Sequence, residues 1–381
     1  MINRQVTLAT LAIATFGASG AHAGGADVTM MPTEMMFQKG NYAELSVARI
    51  GRDVTGTNVA PTGSMYPDYT ATTIAIKTDI GEKISIGFAD YLSAAILVDY
   101  KNAGAAGLYV PFANAKVDLK IKSQLLAVKY QVNENISVLG GIKYSSTSDA
   151  TANVLKNPYG NLTIPSANGV AYAAELAYEM PEIALRVTAL YQSATEFDLP
   201  MTSNYYPTSG ILNGKAGLPQ SATIKFQSGV AKDTLVFGSY HLSDWGNAQV
   251  KFDTDETPKV INDPAGVVLA RSSFTKGTAY TLGVGRKLSE EYAVSATYGW
   301  EPAGAATGSS LLSTTNGKKS LSLGFKYTGG PTSVSVGYSH IKLGDFTSTG
   351  SDADGVGSSF QNSVFSGNSA SVIGLKVGYS F

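Results

Sequence analysis

Cysteine is absent from the chain, which excludes any disulfide framework and all thiolate chemistry. Histidine is nearly absent: there are three, and His22, His241 and His340 stand far apart. A serine hydrolase needs an oriented base beside its nucleophile. No motif around Ser239 or Ser243 supplies one, so an enzyme is not expected. Charge is scarce, at 15% of residues, and nearly balanced, with a formal net charge of -1. Nucleic-acid binding wants a basic face, which this balance does not offer. No run reaches the roughly 18 consecutive apolar residues of a membrane-spanning helix. Two acidic spots, Asp253-Thr254-Asp255-Glu256 and Asp352-Ala353-Asp354-Gly355, lack the third acidic ligand and terminal Glu of a calcium loop. Gly283-Val284-Gly285 has no following helix and is no phosphate loop. Neither a metal nor a cofactor is expected.

What the chain does have is glycine and tyrosine, 41 and 21, against only 2 tryptophans. It also has strict alternation. In the final segment Ile373, Leu375, Val377, Tyr379 and Phe381 share one side, while Gly374, Lys376, Gly378 and Ser380 share the other. Val170, Tyr172, Ala174, Leu176 and Tyr178 repeat the pattern, as do Leu321, Leu323, Phe325 and Tyr327. An apolar, aromatic face opposite a small or polar one is how a lipid-facing barrel strand is written. A soluble β-sandwich would need a more polar exterior than these Gly, Ser, Thr and Ala positions could tile.

Short turns recur at 79–83, 132–135, 179–182, 231–234, 288–291 and 328–331. Longer polar stretches lie between them at 102–115, 155–168, 200–217, 254–276, 302–317 and 344–369. Short turns on one side and long loops on the other mark periplasmic and extracellular ends. The reading is an all-β, transmembrane antiparallel β-barrel of about fourteen strands over residues 41–381. Its place is the outer membrane of a Gram-negative bacterium. Residues 1–23 read as a signal peptide: Arg4, a short apolar run over 6–18, then Ala21-His22-Ala23 as the cleavage site.

One strand changes phase. Val117, Leu119 and Ile121 alternate on one parity, and Leu126, Val128 and Tyr130 on the other. Either a β-bulge near 123–125 reconciles them, or the upper half rises above the membrane and packs against loops. Opposite parity places Lys143, Arg186, Lys225, Lys326, Lys376 and Glu175 in the lumen. Pairing across Met180-Pro181 sets Glu175 against Arg186 as a cross-strand ion pair. Lys143, Arg186 and Lys225 are the candidate cations for a ligand's anionic group, since a cationic lumen attracts anionic amphiphiles. Barrel interiors are polar in any case, and the alternative for each is pairing within the protein by loops or distant strands. Residues 24–40 hold Met30, Met31, Met35, Met36 and Phe37. Methionine is an adaptable apolar surface. The segment is read as a hatch inside the barrel whose methionines and Phe37 line a binding pocket; the alternative is a free leader.

The chain resembles the FadL-type outer-membrane transporters of long-chain fatty acids and other hydrophobic compounds. The resemblance rests on Gly217-Leu218-Pro219-Gln220, then Ser228-Gly229-Val230, then Tyr240-His241-Leu242-Ser243-Asp244-Trp245. Asn41-Tyr42-Ala43-Glu44-Leu45-Ser46 with Asp53-Val54-Thr55-Gly56-Thr57 is similar to the family's first strand, and Gly378-Tyr379-Ser380-Phe381 to its end. The resemblance implies a fourteen-stranded barrel closed by an N-terminal hatch. It also implies ligand capture at the extracellular loops and transfer to an apolar pocket. A kink in the third strand, placed at about 83–91, would give a lateral opening near Ala89, Asp90 and Tyr91. The family hatch is longer and carries Asn-Pro-Ala, where this chain has Met31-Pro32-Thr33.

The expected activity is diffusion of fatty acids or similar hydrophobic small molecules, with no energy-coupling box near Gly24. The expected partners are those ligands, membrane lipid and lipopolysaccharide, with no nucleic acid and a monomeric state. The rivals are a general water-filled porin and a structural or adhesion barrel.

Overall fold

The computed structural model describes residues 27–57, 61–99, 116–153, 161–203, 212–253, 268–272, 274–304, 307–308, 314–349 and 362–381. The leader and both acidic spots thus fall wholly or mainly outside the described residues, as does the stretch 102–115. Fourteen antiparallel strands form the wall. In chain order they are β1 (Tyr42–Asp53), β2 (Tyr69–Ile80), β3 (Ile84–Asp99), β4 (Lys116–Gln131), β5 (Ile136–Thr147), β6 (Asn168–Met180) and β7 (Leu185–Gln192). They continue as β8 (Ser221–Ala231), β9 (Thr234–Ser243), β10 (Gly277–Lys287), β11 (Tyr292–Glu301), β12 (Lys318–Gly329), β13 (Thr332–Leu343) and β14 (Ser369–Ser380). Each strand pairs with the next, and β14 pairs back onto β1, from Tyr42 opposite Ser380 to Asp53 opposite Ser369. The sheet therefore has no free outer edges, which satisfies backbone groups that lipid cannot.

The alternation seen in the sequence is the alternation of the wall. Tyr172, Leu176, Leu282, Leu323, Tyr338 and Ile373 are exposed outward, while their neighbours are small residues facing in. Aromatic residues gather near the short turns, where Tyr292 meets Tyr327 at 5.4 Å and Tyr379 meets Phe381 at 6.2 Å. Another group stands higher on the wall, where Tyr280 stacks on Trp300 at 4.8 Å and contacts Tyr240 at 5.2 Å. Aromatic belts around an apolar band fit the two interfaces of a bilayer. The chain is an outer-membrane β-barrel.

The mouth above the long strands is filled by folded loop. A hairpin of Thr195–Ser203 and Leu212–Leu218 joins short strands at 150–153, 161–164, 251–253 and 268–271. Beneath it Leu119, Ile121, Phe197, Met201, Trp245 and Phe274 form an apolar cluster. This settles the phase change in β4. That strand is regular throughout, and Val117, Leu119 and Ile121 face inward because they pack under the loops. The bulge lies on the neighbouring strand, where Leu92 pairs with Lys122 and Ala94 with Ile121, leaving Ser93 extra.

The same strand also carries a seam where pairing to its neighbour stops short. β3 pairs with β2 only up to Tyr91 opposite Thr73. Above that point residues 92–99 bend inward and are nearly all buried. Leu92, Ala95 and Leu97 pack on Tyr69 and Ala71, and the Arg52 guanidinium lies 5.0 Å over the Tyr69 ring.

Candidate functional site

The hatch docks against the inside of the wall in three ways. Asp27–Val28 adds to the free upper edge of β3, opposite Ala95 and Ala94. The Thr29 amide donates to the bulged Ser93 carbonyl at 3.0 Å. Next, residues 33–37 form a single short 3-10 helix that buries Met35 and Met36 against β3. Gly87 makes this possible, because a side-chain Cβ there would overlap the Met36 sulfur. Last, the Lys77 ammonium donates to the Gln38 and Gly40 carbonyls at 3.0 and 2.8 Å, holding the hatch exit to β2.

Charge fixes the face of the helix that looks into the lumen. Glu34 accepts from Arg186 Nη2 at 2.8 Å and from Lys225 Nζ at 2.9 Å. Burial would raise the Glu34 carboxyl, but the Lys225 and Arg186 charges outweigh it and bring the group down to about 2. Phe37 sits between two cations, with Arg186 at 4.6 Å and Lys129 at 5.0 Å from its ring. Across the lumen Lys376 bonds both Glu44 oxygens, at 3.3 and 3.2 Å, and Tyr42 donates to the same carboxylate at 3.0 Å.

Residues 29–31 of the hatch lie between two cavities, and Thr29, Met30 and Met31 line both. The larger has a volume of about 290 Å³ and is lined by Glu34, Glu44, Arg186, Lys225, Phe237 and Lys376, among others. The smaller, of about 50 Å³, lies under the loop cluster and is lined by Tyr91, Lys143, Leu190, Leu218, His241 and Trp245. Lys143 is 1% exposed and meets no acidic group or acceptor among the described residues. Two more buried groups lining that cavity, Ser243 Oγ and Trp245 Nε1, also lack a hydrogen-bond partner. Lys143, Ser243 and Trp245 thus bring three buried donors to the lining of one small space.

No family model and no curated protein sequence matches the chain. Among solved structures it is similar to a FadL homologue from Pseudomonas aeruginosa, at 11% identity with a TM-score of 0.72, over 95% of this chain and 96% of that one. It is also similar to the toluene transporters TodX of Pseudomonas putida and TbuX of Ralstonia pickettii. Both comparisons give a TM-score of 0.63. The identities are 12% and 14%; 95% and 96% of this chain are covered, and 99% and 100% of theirs.

The chain has the FadL-type fold.

Within this FadL-type barrel the sequence-derived site residues separate into groups. Met30 and Met31 line the two cavities, whereas Met35 and Met36 turn to the wall and Phe37 is held between cations. The expectation that all five line one pocket is corrected by the helix, whose turn carries 35 and 36 toward Gly87. Arg186 and Lys225 are engaged by the hatch, and Lys143 is the cation left without a partner among the described residues. The expected Glu175–Arg186 pair does not form. The turn at 181–184 places Met180 opposite Leu185, so Arg186 stands opposite Glu179 and Glu175 opposite Leu190. Ala89, Asp90 and Tyr91 remain in register opposite Ala75, Ile74 and Thr73, and the edge that β2 leaves uncovered begins at Leu92. The third strand also runs longer than expected, to Asp99.

Glu34, Glu44 and Lys77 were not singled out by sequence, since their partners lie on distant strands. Inward parity would have marked Glu44 and Lys77 on β1 and β2. His241 bonds Thr223 at 2.8 Å and Ser239 bonds Thr281 at 2.7 Å.

Proposed function

We propose that the protein is an outer-membrane channel for hydrophobic and amphipathic small molecules, among them fatty-acid-like carboxylates. The observation that carries this reading is the pair of cavities that hatch residues 29–31 line on both sides. A ligand reaching the upper cavity from the loop cluster places its anionic end at Lys143 and its tail against Leu190, Leu218 and Met30. Movement of flexible methionine side chains then joins the upper space to the lower one. Transfer needs no energy input, because each stage is partition between apolar surfaces. The unpaired edge of β3 above Tyr91, now occupied by Asp27–Val28, is the side exit. Ala89, Asp90 and Tyr91 form the last paired stretch below it. The structures of toluene transporters with this fold, and of a FadL homologue, support a hydrophobic cargo.

The test is uptake into liposomes bearing the refolded protein, using radiolabelled laurate and toluene. The wild type is expected to pass at least one of them saturably. Met30→Asp with Met31→Asp places two charges on the septum and is expected to abolish that flux. Undiminished flux in the double variant would remove the septum from the transport path. A large, steady ion conductance with no binding of either compound would move the protein to the water-filled porin class.

A further inference from the structure

The contact between Glu34 and its two cations is built from remote parts of the chain, 152 residues away for Arg186 and 191 for Lys225. It is not sealed. Glu34, Arg186 and Lys225 all line the larger cavity, and the Glu34 side chain is 38% exposed to it. Around the trio stand further acids that do not replace it. Glu179 reaches Arg186 Nη1 only at 3.9 Å. Glu175 is 3% exposed, and neither of its oxygens meets a well-formed hydrogen-bond donor among the described residues. It faces Lys225 and Glu34, with Thr33 and Thr188 beside it.

We propose that Arg186 and Lys225 form a carboxylate-binding site that Glu34 fills as an internal ligand, and that an incoming carboxylate exchanges with Glu34 and so releases the hatch. The argument is one of charge. If Glu34 simply left, two cations in a low-dielectric lumen would lose their closest anion, which is strongly unfavourable. If one carboxylate replaces another, the charge around Arg186 and Lys225 is unchanged at both ends of the step. A neutral hydrocarbon has nothing to exchange and leaves the latch shut. Glu175 poises the device. As a second carboxyl beside Glu34, it repels the internal ligand when ionised and so keeps the closed state from being too deep. The short helix transmits the release, since Glu34 and the wall-packed Met35 and Met36 are consecutive. The inference rests on the channel reading above and names the event that opens it.

The experiment is single-channel recording with laurate and, separately, dodecanol, which shares its chain but carries no carboxylate. The wild type is expected to open more often with laurate and to ignore dodecanol. Glu34→Gln is expected to raise the ligand-free open probability by about tenfold and to erase the difference between the two compounds. Glu175→Gln is expected to lower the open probability of the wild type. Lys225→Met, which breaks the other side of the contact, should reproduce Glu34→Gln. Heat-modifiable gel mobility confirms that each barrel is folded. A Glu34→Gln channel as closed as the wild type, or a wild type that opens equally for both compounds, overturns the latch. If neither compound binds or crosses the wild type, the channel reading fails, and the ligand-free conductance of Glu34→Gln still decides whether Glu34 holds the hatch.

Discussion

The two cavities on either side of residues 29–31 are charged in different ways. In the lower one Arg186, Lys225 and Lys376 each meet a carboxylate of the protein itself. In the upper one Lys143 is buried with no such partner among the described residues, and Ser243 and Trp245 add donors that are also unused. A buried cation without an anion is costly to the folded state. The lower cavity is balanced from within, whereas Lys143 in the upper one is not balanced by any described residue. On the proposed channel reading the difference predicts a direction: an anionic group is taken first at the top and competes with Glu34 further down.

The most severe way to break this comparison is to remove the septum. Gly87→Val puts bulk where Met36 rests, and overpacking of this kind costs about 1–3 kcal/mol. The hatch is expected to lift from β3, merging the two cavities. Planar-bilayer recordings should then show a steady open conductance where the wild type is closed. A closed Gly87→Val channel would mean the hatch is held by its other contacts alone. The next effect concerns the upper cavity. Lys143→Met should weaken laurate binding by about ten- to a hundredfold, the worth of a lost charge-assisted hydrogen bond, while toluene binding stays the same. Calorimetric titration distinguishes the two, and an equal loss for both compounds would make Lys143 a structural residue.

The smallest effect belongs to the lower cavity and to pH. Glu34 is held at about 2, below its ordinary value of 4.5. A depressed carboxyl stabilises the docked state fully above its ordinary value and loses that contribution as pH falls toward the docked one. Glu175, Glu179, Lys129, Arg186 and Lys225 face the same space, so the loss is spread over the window. Open probability is expected to rise gradually from about pH 4.5 toward pH 2 in the wild type and to be flat in Glu34→Gln. A flat wild-type profile would show that the charge on Glu34 does not hold the hatch.

The wall was legible in the sequence because it faces two unlike solvents. Tyr172 and Leu176 meet lipid, Ala171 and Ala173 meet the lumen, and a period of two is all that is needed to tell them apart. Where that contrast ends, so did the reading. Val117, Leu119 and Ile121 sit above the membrane under folded loops, and their inverted phase looked like a possible bulge. The true bulge at Ser93 lies in a stretch, 91–98, that is buried on both sides, and such a run carries no period. The Glu175–Arg186 pairing failed through register. Pro181, Glu182 and Ile183 wind into a 3-10 turn and Ala184 adopts a left-handed conformation, so the opposing residues are set by the turn. Lumenal cations could be named from parity, but which of them would find a partner could not. Glu34 meets Arg186 and Lys225 only after the hatch enters a barrel whose strands it does not adjoin in sequence.

The closure of the wall has a kinetic side. Glu44 on β1 and Lys376 on β14 bridge the closing seam, yet they stand 332 residues apart in the chain. Thirteen of the fourteen pairings join strands that are neighbours in sequence, so these are local and can zip. The last pairing is not, and it must wait for the whole sheet to curl. Until then β1 and β14 expose unpaired backbone, a template for any passing strand. Assembly of this barrel is therefore a race at one seam. A chaperone or insertion machine that shields those two edges would gain more than one that gripped any other strand.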